Sequence, residues 1–135
     1  MKIILGSQSQ GRKRVLESMG MSFHVMSANI DEKSIRSDDP KQLTLLLARA
    51  KADALMSEIT EAALLITSDQ VVEWNGKILE KPESADEARQ FLTGYADAPA
   101  ETVTAVVVTN TATGRRLEDV DIAKVYFRRI PETVL

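Results

Sequence analysis

At 135 residues the chain is close to one typical domain of about 150, which excludes a multidomain assembly. Hydrophobic residues at 44% supply a core, and a formal net charge of −3 lacks the basic excess that coating a nucleic acid requires. The absence of cysteine excludes disulfides, thiolate metal centres and a cysteine nucleophile.

Lys2 to Leu5 is a short β-rich run that enters the polar loop Gly6-Ser7-Gln8-Ser9. Arg12 to Met19 then places Val15, Leu16 and Met19 on one helical face, and Gly20 suits a left-handed helix stop. Ser22 to Met26 alternates like a second strand. Asp39-Pro40 combines a capping side chain with proline at the first helical position, predicting a helix to about Ile59. Leu64 to Thr67 reads as a buried strand that ends in the polar Ser68-Asp69-Gln70. Asn75-Gly76 joins Val71–Trp74 to Lys77–Leu79 as a hairpin, and Ser84-Ala85-Asp86-Glu87 has the form of a capping box opening a further helix. Thr102–Thr109 and Asp121–Phe127 read as strands, with Ile130-Pro131 starting a last helix. This alternation predicts one α/β domain over residues 1–135: a mixed twisted sheet flanked by helices, with a ligand cleft at the ends of the first and third strands. The apolar run after Lys2 is too short for a secretory leader, and no run approaches the ~18 apolar residues of a membrane span, so the expected location is the cytoplasm.

With one Trp, two Tyr and three Phe, a base-stacking platform is poorly supplied, and a ligand must be held by polar groups. The loop from Gly6 to Arg14 joins a strand to a helix start, where free amides and the helix dipole favour an anion. Its two glycines, two serines and the cations Arg12, Lys13 and Arg14 suit a phosphate, although a polar loop beside a solvated basic face explains them equally well. Asp31, Glu32 and Asp69 are acidic groups able to hold a divalent cation or activate water if they meet. Lys51, among the alanines of the long helix, and Lys81, before Pro82, either point into a cleft or lie along the surface. His24 is the single histidine and has no spacing that supports a nucleophilic triad.

Taken in order, these pieces resemble the Maf family of nucleoside triphosphate pyrophosphatases. Leu5-Gly6-Ser7-Gln8-Ser9-Gln10-Gly11-Arg12 is similar to that family's Leu-Ala-Ser-x-Ser-Pro-Arg-Arg motif, Asp31-Glu32 to its Asp-Glu, and Lys51-Ala52 to its Lys-Ala. Ser68-Asp69-Gln70-Val71-Val72 resembles its Asp-Thr/Gln-Val-Val segment, and Gly76 to Pro82 its Gly-x-Ile-x-x-Lys-Pro. Glu87-Ala88-Arg89 and Val125-Tyr126-Phe127-Arg128 extend the likeness over the whole chain. The resemblance implies a Maf/ITPase-like fold and metal-dependent hydrolysis, with Mg²⁺ or Mn²⁺, of pyrimidine or modified nucleoside triphosphates to monophosphate and pyrophosphate. It implies that Ser7, Ser9 and Arg12 hold the triphosphate and that Lys51 and Lys81 neutralise its charge. It further implies that Glu32 helps to place metal, that Asp69 activates water or binds metal, and that Gln70 lies near the base. The implied partner is the nucleotide, with no nucleic acid and no membrane.

Three departures accompany the resemblance. Gln10-Gly11 stands where the family has Pro-Arg, and Thr102-Val103-Thr104-Ala105 where it has Val-Tyr-Thr-Gly. The family also continues for roughly another third of its length, through a Glu-x-x-x-Tyr helix and a Gly-rich segment, which supplies a cleft wall. Without that wall the expectation is a homodimer, a chain that leans on a partner, or a non-catalytic nucleotide-binding or regulatory module.

Overall fold

A computed structural model describes residues 1–74, 76–79 and 100–125. Its elements are β1 (Lys2–Leu5), α1 (Gln10–Ser18), β2 (His24–Val25), a 3₁₀ turn (Glu32–Ser34), α2 (Pro40–Met56), β3 (Ala63–Trp74), β4 (Lys77–Leu79), β5 (Ala100–Asn110) and β6 (Arg116–Val125). The strands form one mixed sheet in the order β2-β1-β3-β5-β6, with β4 added to β3. β1 is parallel to both β2 and β3, as crossovers through α1 and α2 require, whereas β3-β5-β6 run antiparallel. The predicted helices Ser84–Leu92 and Ile130–Pro131 lie outside the described residues, as does Asn75 of the expected hairpin turn.

α2 follows its sequence signals closely. Asp39 accepts a hydrogen bond from the Lys41 amide at 3.0 Å, and Pro40 opens the first turn. The helix ends at Met56 rather than Ile59, where Ser57 Oγ donates to the Ala54 carbonyl and competes with the helical ladder. Thr44, Ala48 and Ala52, four residues apart, are all 0% exposed. Their short side chains let α2 lie close against the sheet, where Ala48, Ala52 and Leu55 pack with Ile4, Ala63, Leu65, Ala105 and Val107. Arg116 reaches Asp53 at 2.6 Å, and Arg49 grips Glu118 through Nε at 2.9 and 3.0 Å, tying β6 to the outer side of the same helix.

β3 departs most from expectation. It does not end before Ser68 but runs through Ser68-Asp69-Gln70 to Trp74, paired residue for residue with β5 from Leu64↔Asn110 to Trp74↔Ala100. Its other edge is occupied differently along its length: β1 pairs with residues 63–66, and β4 with residues 72–74. Between them, among the described residues, Thr67 to Val71 has no strand on that side, which leaves a notch in the sheet. The expected cleft at two strand ends is therefore a cleft at the end of β1 beside the middle of β3.

Candidate functional site

The loop after β1 is built around Ser7, which is 8% exposed. Its Oγ accepts from the Ser9 amide at 3.1 Å and from Arg12 Nη1 at 3.1 Å. Ser9 is the N-cap of α1, its Oγ accepting from the Arg12 amide at 3.4 Å. Arg12 is thus turned back over the loop it follows, so the positive end of a nine-residue helix and a guanidinium face the same space. That space is a cleft of about 370 Å³ lined by Gly6, Ser7, Gln8, Ser9, Arg12, Ser27, Ala28, Glu32 and Lys51.

Lys51 closes the far side. In α2 it falls on the row Leu43, Leu47, Leu55, spaced by fours and mostly buried, so its side chain is only 12% exposed. Its Nζ donates to Asp69 Oδ1 at 3.2 Å and to the Ser68 carbonyl at 3.1 Å, and lies 3.5 Å from Glu32 Oε1. The Ser68 carbonyl is available because of the notch. Two residues earlier, the Ile66 carbonyl points to the same side and accepts from the Gly6 amide at 2.8 Å, the last backbone bond tying the β1 end to β3. From there to Val71 no strand lies on that edge among the described residues, and at Ser68 an ammonium takes the place of an amide.

Asp69 lies beneath this ammonium with its side chain 14% exposed. Burial pushes its pKa above the ordinary 3.8; Lys51 opposes that rise by charge and hydrogen bond, Glu32 adds to it, and Arg12 opposes it. The result is a carboxylate that is held, paired and more basic than one in water, the condition of a group that takes a proton or shares a cation.

The structure therefore brings Ser7, Ser9, Arg12, Lys51, Glu32 and Asp69 together. Glu32 arrives from the 3₁₀ turn and stays 56% exposed. Lys81 lies outside the described residues. Gln70 is exposed and, one residue after Asp69 on an unbroken strand, projects from the opposite face of the sheet, level with Thr104 of β5. Lys13 and Arg14 are not among the residues that line the cleft, and His24 is exposed on β2. Sequence reasoning missed Ser27 and Ala28, which follow β2 where the Met26 amide donates to the Leu5 carbonyl at 2.9 Å. Their signal was their place: small residues just past a strand that neighbours β1.

The chain is also similar to proteins already known. The chain is 47% identical over 137 residues to a 7-methyl-GTP pyrophosphatase from Dictyostelium discoideum, covering 96% of this chain and 70% of that protein. It is 34% identical over 127 residues to a nucleoside triphosphate pyrophosphatase of Synechococcus sp. (strain JA-2-3B'a(2-13)), covering 94% of this chain and 64% of that one. A 7-methyl-GTP pyrophosphatase of Vibrio vulnificus (strain CMCP6) is 34% identical over 131 residues, covering 97% and 66%. The chain thus spans about two thirds of the length of these relatives. Among solved structures it is similar in fold to a nucleoside-triphosphatase / dITP/XTP pyrophosphatase from Mycobacterium abscessus, with TM-score 0.50 and 20% identity over 97% of this chain and 75% of that one. A HAM1 protein from Coxiella burnetii gives TM-score 0.53 and 14% identity over 98% and 75%. The family described as Maf-like protein matches residues 2–135, and the chain belongs to that family.

Proposed function

We infer that the protein hydrolyses nucleoside triphosphates to the monophosphate and pyrophosphate, with a divalent cation, Mg²⁺ or Mn²⁺, as cofactor. The observation that carries this reading is the convergence of Arg12, Lys51 and the Ser7–Ser9 loop on one cleft beside a buried, raised-pKa carboxylate. A triphosphate needs that density of positive charge, and hydrolysis at its α-phosphorus needs a base for water. The names of the relatives support the same activity, and the 47%-identical one, named for 7-methyl-GTP, makes that modified nucleotide the first substrate to test.

Glu32 and Asp69 offer hard oxygens 3.5 and 3.2 Å from the Lys51 ammonium, with the Ser68 carbonyl as a third at 3.1 Å. That set suits a cation of the Mg²⁺ type, which takes one or two carboxylates and completes its shell with water and phosphate. Such a cation would supply charge neutralisation on the phosphate chain and acidify a bound water. The protein's own part is then distinct. The loop amides and Arg12 orient the phosphates, Asp69 accepts the proton of the attacking water, and the α–β anhydride bond breaks toward pyrophosphate. Lys51 keeps Asp69 ionised and oriented, and its charge meets that developing on the leaving group. The proposed compartment is the cytoplasm. No helix among the described residues is long and apolar enough to cross a membrane, and a chain without cysteine suits a reducing environment.

The test is pyrophosphate release from canonical and modified nucleoside triphosphates with Mg²⁺, Mn²⁺ or EDTA, for the wild type beside Asp69→Asn. Release is expected only with metal, and the variant is expected to lose at least about a hundredfold in kcat while still binding nucleotide. Release that survives in Asp69→Asn, or none from the folded wild type, would sink the reading.

A further inference from the structure

Thr67 precedes Asp69 by two residues on the same face of β3 and is completely buried. Its Oγ1 donates to the Ala48 carbonyl of α2 at 2.8 Å. Ala48 lies inside the helix, where the carbonyl already belongs to the helical ladder, so the bond from Thr67 is additional to what α2 itself requires. Valine would fill the same space without burying a hydroxyl. What the hydroxyl adds is a directional tie between one carbonyl of α2 and one position of β3, and that carbonyl lies three residues, about one turn, before Lys51. The methyl group faces elsewhere. Thr67 Cγ2 stands 2.9 Å from where a Cβ would stand on Gly6, so it abuts the backbone at the root of the Ser7–Ser9 loop. One buried side chain of β3 thus touches α2 and the loop after β1, two other elements that deliver part of the cleft.

We propose that Thr67 is a positioning residue whose hydroxyl sets the height of α2 along β3 and so holds the Lys51 ammonium on Asp69 and the Ser68 carbonyl. Its kinetic consequence rests on the pyrophosphatase reading, whereas its geometric content does not. The buried face of α2 meets the sheet through apolar contacts of Ala48, Ala52 and Leu55, and the ion pairs of Arg49 and Asp53 go to β6 on the outer side. At β3 the Thr67 hydroxyl thus adds a directional tie on this buried face that the apolar contacts lack. Released from that restraint, Lys51 loses its two short contacts at 3.1 and 3.2 Å, and its ammonium becomes available to solvent.

The experiment compares Thr67→Val, which keeps the shape, with Thr67→Ser, which keeps the hydroxyl. The first readout is the rate at which acetic anhydride at limiting concentration acetylates Lys51, followed by peptide mass; the second is kcat and KM for pyrophosphate release. Thr67→Val is expected to be acetylated several-fold faster at Lys51. Its kcat should fall about tenfold with KM changed less than about twofold, short of the hundredfold that a full ångström of misplacement can cost. Thr67→Ser should match the wild type within about twofold in both. A purely structural role predicts a lower Tm with Lys51 acetylation and kcat unchanged, and that result overturns the proposal; so does a serine variant that behaves like the valine one. If Thr67→Val does not fold, Thr67→Ala takes its place, with the same faster acetylation expected and unchanged acetylation refuting it. If the wild type hydrolyses no nucleotide, the pyrophosphatase reading fails by itself, and the acetylation ratio still decides the role of Thr67.

Discussion

Asp69 and Lys51 are each largely held away from water, with side chains 14% and 12% exposed. Because the Asp69 pKa is raised, the folded protein keeps a proton that the unfolded chain has already released, so its contribution to stability falls as pH rises from the ordinary 3.8 through the raised value. Thermal unfolding followed from below pH 3.8 to neutral should therefore show the wild type losing stability relative to Asp69→Asn as pH rises; a difference constant with pH would refute the raised value. Thr109 presents a simpler case. It is fully buried, and its Oγ1 has no hydrogen-bond partner among the described residues. Replacing the hydroxyl by a methyl removes that unpaired group, so Thr109→Val should be neutral or more stable by about 1 kcal/mol in denaturant unfolding. A loss of that size would mean that the hydroxyl has a partner. The sequence marked Asp69 by its place at the end of a buried apolar run, whereas only resemblance put Lys51 in the same site. For Lys51 a physical signal was nevertheless present, a lysine on the row Leu43, Leu47, Leu55, where a surface helix would show another apolar residue.

Among the elements, α2 was legible and β3 was not, for opposite physical reasons. The limits of α2 are set by neighbours in sequence: Asp39 and Pro40 at one end and Ser57 at the other. β3 is set by distant residues. Ser68-Asp69-Gln70 has the composition of a loop, yet it stays extended because Ala105 and Thr104 of β5 lie opposite, and Ser68 Oγ donates to the Ala105 carbonyl at 2.6 Å. No local rule reveals a partner strand more than thirty residues away in sequence. The same uncertainty hid Gln70, whose face follows from whether the strand continues. Close approach of α2 to the sheet depends on its alanines, so Ala52→Leu, which adds three carbons at a position 0% exposed, should cost about 1–3 kcal/mol. Equilibrium urea unfolding checks this; an unchanged midpoint would show that α2 has room to lift.

At the scale of the molecule the sheet has a sturdy half and a slight one. β5 is paired with β3 along its whole length and with β6 from Ala100 to Thr109, whereas β1 has four residues and its neighbour β2 only two. Hydrogen exchange should therefore find the Ile4 and Leu5 amides less protected than those of Val103 to Val107, with added nucleotide slowing β1 selectively because the phosphate loop follows it. Equal protection in the free protein would contradict this division. The pairing of β1 with β3 has a further consequence in time. β1 leaves the ribosome first of all the described strands, yet its partner Ala63 follows Lys2 by about 60 residues, so it waits through the synthesis of both helices. The Gly6 amide can meet the Ile66 carbonyl only after that wait, and until then the Ser7–Ser9 loop lacks its tie to β3. On the proposed function, a nucleotide would therefore meet a chain in which β3, with its carboxylate, has already been made.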